Sequence, residues 1–289
     1  MFIVILLVIG LLIFLYLRIF KIPKCGNMTM VTGGIKTGKS TLSVRMCIKL
    51  LRKQRIKRWI HNHIKVPLFN HTIVPLSRII CRKDPLLPIR KKARPMLYSN
   101  IPLRMEYIPL TEGILLRSER VIYGSVVYVC ESSLVADSQS YKDKELDEPL
   151  LLFNKLFGHS SKGGYLVYDT QSIADNHHAI KKCLNTYLWI HHNVKIPFFV
   201  LMWVREMSYS YDQSGSTNVV NTVDEDAEND LKLIVVPKST WNKFDCFCYS
   251  VLTDDKPVIT ATVRPKRSGL KARKIVSFKK YKTFDNDNT

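Results

Sequence analysis

Residues 33–40, Gly33-Gly34-Ile35-Lys36-Thr37-Gly38-Lys39-Ser40, follow the pattern GxxxxGK(S/T), which few folds can accommodate. Glycines let the backbone turn tightly and aim its N–H groups at phosphate oxygens. The lysine ammonium reaches the β and γ phosphates, and the serine hydroxyl is a hard oxygen suited to Mg²⁺. A helix starting at the loop adds the positive end of its dipole, so the pattern requires a strand before it and a helix after it. Both are legible: "NMTMVT" (27–32) is β-prone, and "KSTLSVRMCIKLLRK" (39–53) carries apolar Leu42, Met46 and Leu50 at helical spacing. The loop predicts an α/β P-loop NTPase that takes ATP and Mg²⁺. Its nucleotide-binding residues would be Gly33 to Lys39 with Ser40 and Thr41, Ser40 being the Mg²⁺ ligand. Lys36 stands where many such loops carry a small residue; its side chain either adds charge at the phosphates or, slightly favoured, points to solvent.

Such a site also needs a carboxylate at the tip of a neighbouring buried strand. "SVVYVCESS" (125–133) supplies Glu131 as base or water-positioner, but Cys130 occupies the place of the usual Asp, leaving magnesium to be completed elsewhere, with Asp137 one option. "GGYLVYDTQS" (163–172) is a second apolar strand, and its Gln171 is placed to contact the γ-phosphate or the attacking water. An ordinary strand end is the plainer reading of each. Strands ending in functional residues in this order predict a parallel sheet with helices on its faces and ligands at the carboxyl ends.

Residues 2–17 are uninterruptedly apolar, near the lower limit for crossing ~30 Å of hydrocarbon as a helix. No basic segment precedes the run and no small-residue cleavage site follows it, which favours a retained anchor (1–20) over a signal peptide. Arg18, Lys21 and Lys24 all follow it, placing the N-terminus outside and the body in the cytoplasm, as a single-pass membrane protein. Seven scattered cysteines fit reduced thiols, and no metal-ligand spacing joins them to the histidines.

The charge is local. Residues 44–94 hold fifteen Lys/Arg and one acid, Asp84, leaving +6 of the chain's net +20 for everything else. Such a patch suits the phosphates of nucleic acid or of anionic lipid headgroups, or merely solvates an insertion. Five prolines within 54–95 argue against one long helix there.

Taken together, "GGIKTGKS", "LYSNIPL" (97–103), "VYVCES" in the Walker B place, "GHSSKGG" (158–164), "VYDTQS" (167–172) and "WNKFDCFCYS" (241–250) resemble the zonular occludens toxin (Zot)-like family of filamentous-phage assembly ATPases. That family is similar to the FtsK/HerA motor lineage. The resemblance spans about residues 28–250. Cys130, Lys36 and an anchor before rather than after the ATPase depart from it. It implies a RecA/FtsK-like fold and an ATPase of the host inner membrane that extrudes filamentous phage by moving viral ssDNA or virion subunits across that membrane. Viral DNA, phage assembly and coat proteins, and a homo-oligomeric ring are its implied partners, with Arg117, Arg120 or Arg205 offered to a neighbouring subunit. Two other readings stand beside it: a packaging or conjugation-type dsDNA translocase, and a nucleotide-binding membrane adaptor that does not hydrolyse. The core is expected over 27–207, an acidic loop over 208–230, and a β-rich extension with a basic tail over 231–289.

Overall fold

A computed structural model describes residues 21–80, 86–115, 121–136, 144–207, 231–244, 248–251, 258–261 and 274–275. The apolar run 1–20, Arg117, Arg120, Asp137, the acidic loop 208–230 and all but the end of the basic tail lie outside them. Among the described residues, no helix is long and apolar enough to cross a membrane.

Strand β1 (Met28–Gly33) is buried along its whole length because it lies inside a nine-stranded sheet, between β5 (Tyr165–Thr170) and β6 (Thr186–Lys195). β4 (Val126–Val129) pairs with β5, and β2 (Leu97–Ser99) and β3 (Glu106–Pro109) continue outward, all in parallel. The other side departs from the expected all-parallel sheet. β6, β7 (Phe199–Met207) and β8 (Leu231–Pro237) run antiparallel, so the sheet is mixed. β6 and β7 are joined by a short hairpin, which fixes their opposite directions. β8, expected in a C-terminal extension, is an edge strand of this main sheet. At the far edge Lys274–Ile275 pairs with β3, while Cys248–Val251 and Val258–Ala261 form a separate two-stranded ribbon.

Alternation along the strands makes two apolar layers. Met30, Tyr98, Val127, Val129 and Tyr168 face the helix Lys144–Ser160, whose Leu150, Phe153 and Phe157 cover them. Val31, Val126, Tyr128 and Val167 face helix α1 (Lys39–Ile60). Residues 41–48 of α1 are all buried, which explains why this stretch lacks a polar face.

The segment after Ile60 corrects the sequence expectation. The chain stays helical to Ile80, passing through two π-helical turns, His61–Lys65 and Phe69–Ile73. Each sits just before a proline, Pro67 or Pro75. A proline inside an α-helix removes an N–H and its ring clashes with the carbonyl four residues back. The wider turns, closed by Val66 N–H to His61 O and Val74 N–H to Phe69 O, make room for it. From Leu86 the chain returns extended along this arm, laced to it by side chains. Asn62 exchanges two hydrogen bonds with Lys92 (2.8 and 3.0 Å), Asn70 two with Ile89 (2.9 and 2.8 Å), and Ser77 Oγ accepts the Leu86 N–H at 3.0 Å. The steps match: eight helical residues rise ~12 Å, and three extended residues cover ~10 Å. Asn70→Ala is expected to loosen the return strand by about 2 kcal/mol, which is about thirtyfold faster amide exchange at Ile89 with the sheet amides unchanged. Hydrogen–deuterium exchange measures both.

Candidate nucleotide site

The loop leaving β1 turns at Gly34, where Thr37 Oγ1 donates to the Gly34 carbonyl at 2.8 Å. Gly38 caps α1 with φ 87°, a left-handed conformation that glycine adopts without penalty, and its carbonyl accepts the Leu42 N–H at 3.0 Å. A Cβ there would also come within 2.7 Å of the Met202 side chain. Gly34, Ile35 and Lys36 form the exposed tip, and Asn193 Nδ2 holds the Lys36 carbonyl at 3.0 Å. The Lys36 side chain is exposed, in keeping with the solvent reading.

Lys39, by contrast, is only 6% exposed. Its Nζ lies 3.9 Å from Glu131 Oε1, so the loop lysine and the proposed base meet directly. Glu131 itself sits at φ 47°, ψ 63°, at the start of the short helix Ser132–Val135. A non-glycine residue in this region costs of order 1–3 kcal/mol and persists only where its surroundings fix it. Two contacts fix it here. The Glu131 N–H donates to Asp169 Oδ1 at 2.7 Å. The preceding Cys130 is clamped by Asn100, which accepts from its N–H at 2.8 Å and donates to its carbonyl at 2.9 Å. Asn100→Ala leaves both buried backbone groups unpaired. The expected loss is about 3 kcal/mol, read from urea denaturation.

Asp169 is the candidate site residue that sequence reasoning misses. In the sequence it is one of three polar residues at a strand tip, where Gln171 is the preferred candidate. It is fully buried on β5, between the P-loop strand and the Glu131 strand. Tyr128 OH donates to its Oδ2 at 2.6 Å. Its pKa is raised, because burial outweighs the hydrogen bonds from Tyr128, the Glu131 N–H, Ser40 and Cys130 that pull the other way. Its place at the end of the apolar run "YLVY", beside the loop strand, is the available signal.

Burial is also the first cause raising the pKa of Glu131; the nearby Asp169 charge raises it further and Lys39 lowers it. Cys130, whose Sγ is 3.8 Å from Ser40 Oγ, is raised well above the ordinary thiol range by burial and then by Asp169. A protonated thiol is a poor ligand for a hard cation. Ser40 Oγ and the Asp169 carboxyl group bring hard oxygens to the same spot, so the residues present fit Mg²⁺. Gln171 is exposed immediately after β5. Arg205 lies in β7 opposite Trp189, with its Nε buried and without a hydrogen-bond partner.

No family model matches the chain, and no curated protein does. Similar solved structures include the N-terminal domain of zonular occludens toxin from Neisseria meningitidis, at 14% identity and a TM-score of 0.37, over 77% of this chain and 100% of that one. The genome packaging NTPase B204 from Sulfolobus turreted icosahedral virus 2 in complex with ATP-gammaS is similar at 11% identity and a TM-score of 0.29, over 62% of this chain and 96% of that one. The same NTPase in complex with sulfate is similar at 10% identity and a TM-score of 0.29, over 66% of this chain and 100% of that one.

Proposed function

We propose that the chain is a membrane-anchored ATPase that couples ATP hydrolysis to the extrusion of filamentous phage, moving viral ssDNA or virion subunits across the host inner membrane. The observation that carries the enzymatic part is the meeting of Lys39 and Glu131 beside the glycine loop. The apolar run 1–20 with its trailing positive charges supports the anchor, and the ordered motifs from the loop to "VYDTQS" support the Zot-like assignment.

On this reading the amides of residues 34–40 hold the β and γ phosphates, and Lys39 exchanges Glu131 for a phosphate oxygen. Glu131, so released, takes the proton of a water that attacks the γ phosphorus. The bond to the β-phosphate oxygen breaks and ADP leaves with the electron pair. Magnesium, when bound, supplies charge neutralisation at the phosphate oxygens, and Ser40 with Asp169 would hold it. Gln171 reports the γ-phosphate, and a neighbouring subunit of a ring contributes an arginine, with Arg205 among the choices.

Cargo is tested by ATP turnover of the reconstituted full-length protein with added oligonucleotides. Stimulation by single-stranded DNA or by coat protein is expected. Stimulation by double-stranded DNA alone would replace extrusion with a packaging or conjugation-type translocase, and ATP binding without turnover would leave the non-hydrolysing adaptor.

A further inference from the structure

The helical arm beyond the core carries two faces of different chemistry. Val66, Val74 and Ser77 are buried against the return strand, on the side where Asn62 and Asn70 bond to it. Away from it Ile56, Ile60, Ile64, Leu68, Leu76 and Ile80 are between 46% and 71% exposed. These residues recur every four positions, with Thr72 filling the one gap. In a regular α-helix a four-residue step turns ~400°, so six steps would carry the row ~240° around the axis. The two π turns advance less per residue and hold the row on one side. The result is a straight aliphatic ridge, about 35 Å long, on a segment whose prolines make room for it.

The arm leaves the core at a defined edge. Gln54, Arg55 and Arg58 of α1 bond to the carbonyls of Gly163, Pro95 and Tyr123, each just ahead of a parallel strand. The chain enters β1 at the same edge, since the Asn27 carbonyl accepts the Leu166 N–H at 2.8 Å. The arm and the entry to β1 therefore lie on one side, opposite the nucleotide loop. Lys57, Lys65 and Arg78 flank the ridge, Arg90, Lys91 and Lys92 line the return strand, and residues 86–94 contain no acid. At the arm's root a cavity of about 500 Å³ is lined by Arg52, Arg94, Arg104 and Lys243, with Glu106 its one carboxylate.

We infer that the arm is an interfacial membrane element. Its ridge sinks into the headgroup boundary of an anionic bilayer while the surrounding lysines and arginines hold acidic headgroups. The inference rests on the anchored placement proposed above, because residues 21–27 stretch at most ~25 Å and so bring the bilayer within reach. Nucleic acid fits the ridge less well: Trp59, stacked on His63 at one end, offers a ring to a base, but the isoleucines and leucines along the rest of the row offer none. A second copy fits poorly as well, since two such arms would bring like charges together.

Photo-crosslinking of the full chain tests this. Ile64→p-benzoyl-phenylalanine and Leu76→p-benzoyl-phenylalanine are compared with Lys91→p-benzoyl-phenylalanine in vesicles of 3:1 phosphatidylcholine to phosphatidylserine, a composition chosen at roughly the charge of a cytoplasmic leaflet. Circular dichroism confirms the fold of each. Lipid adducts about tenfold more abundant at 64 and 76 than at 91, falling severalfold without phosphatidylserine, are expected. Flotation with equal adducts at all three positions would retain the anchor and overturn the arm. Failure to float would overturn both. Adducts at 64 and 76 to an added single-stranded oligonucleotide, or to a second copy, in place of lipid would give the ridge to that occupant. None of these readouts depends on ATP hydrolysis, so the arm and the enzyme fail separately.

Discussion

Glu131→Gln is expected to leave nucleotide affinity within about twofold of wild type while lowering turnover by about 10²–10⁴-fold, the usual contribution of a positioned general base. The asymmetry follows from where the side chain sits. It faces Lys39 across the loop without forming part of the loop's amide cradle, so its charge matters to the attacking water more than to the phosphates. Radiolabelled ATP binding and phosphate release measure the two quantities separately. Glu131→Gly gives the complementary result. At φ 47° a glycine relieves strain, so stability should hold or rise by about 1 kcal/mol while turnover is lost. Loss of fold in Glu131→Gly would mean that the carboxylate, not the neighbouring Asp169 and Asn100, holds this turn.

Asp169→Asn is expected to raise the magnesium concentration needed for half-maximal turnover by about 10–100-fold, the range typical of losing a partner of a metal site. It should also move the acid limb of the pH–rate profile. Glu131 acts as a base only when ionised, so activity falls as pH drops through its pKa. That pKa is raised by burial and by the Asp169 charge. In the wild type the limb therefore lies above the ordinary glutamate range, and removing the Asp169 charge shifts it toward lower pH while burial keeps part of the elevation. An unmoved limb in the variant would separate Asp169 from Glu131. Asp169→Ala is a harsher change, because it strands the Tyr128 hydroxyl and the Glu131 N–H; about 3 kcal/mol of stability should go with it.

The nucleotide loop is legible in the sequence because its chemistry is local. Spacing alone marks which residues would face a phosphate, and a β-prone run before it with a helix-compatible run after it completes the unit. Glu131 is legible for a related reason, as an acid terminating a short apolar strand. Asp169 does not stand out because its meaning depends on strand order: only with β5 lying between β1 and β4 does a strand-tip acid arrive beside Ser40 and Cys130. Asn100 is a similar case, 30 residues from the backbone it clamps. The antiparallel edge escapes a sequence reading because apolar runs such as "IPFFVLMWV" carry no direction. The arm is where sequence and structure disagree most. Prolines at 67 and 75 read as helix breakers, whereas π turns placed just ahead of them let the helix continue.

The most direct measurement is steady-state ATP turnover by the purified full-length protein in detergent, with and without magnesium, for wild type and for Lys39→Ala. Lys39 is buried at the loop with its ammonium beside the base, so its removal takes away both a phosphate contact and the partner that lowers the Glu131 pKa. Magnesium-dependent turnover in the wild type that falls at least about 10³-fold in Lys39→Ala is the predicted result, in line with losing a clamp on the transferring phosphoryl group. Equal rates in the two proteins would contradict hydrolysis at this loop.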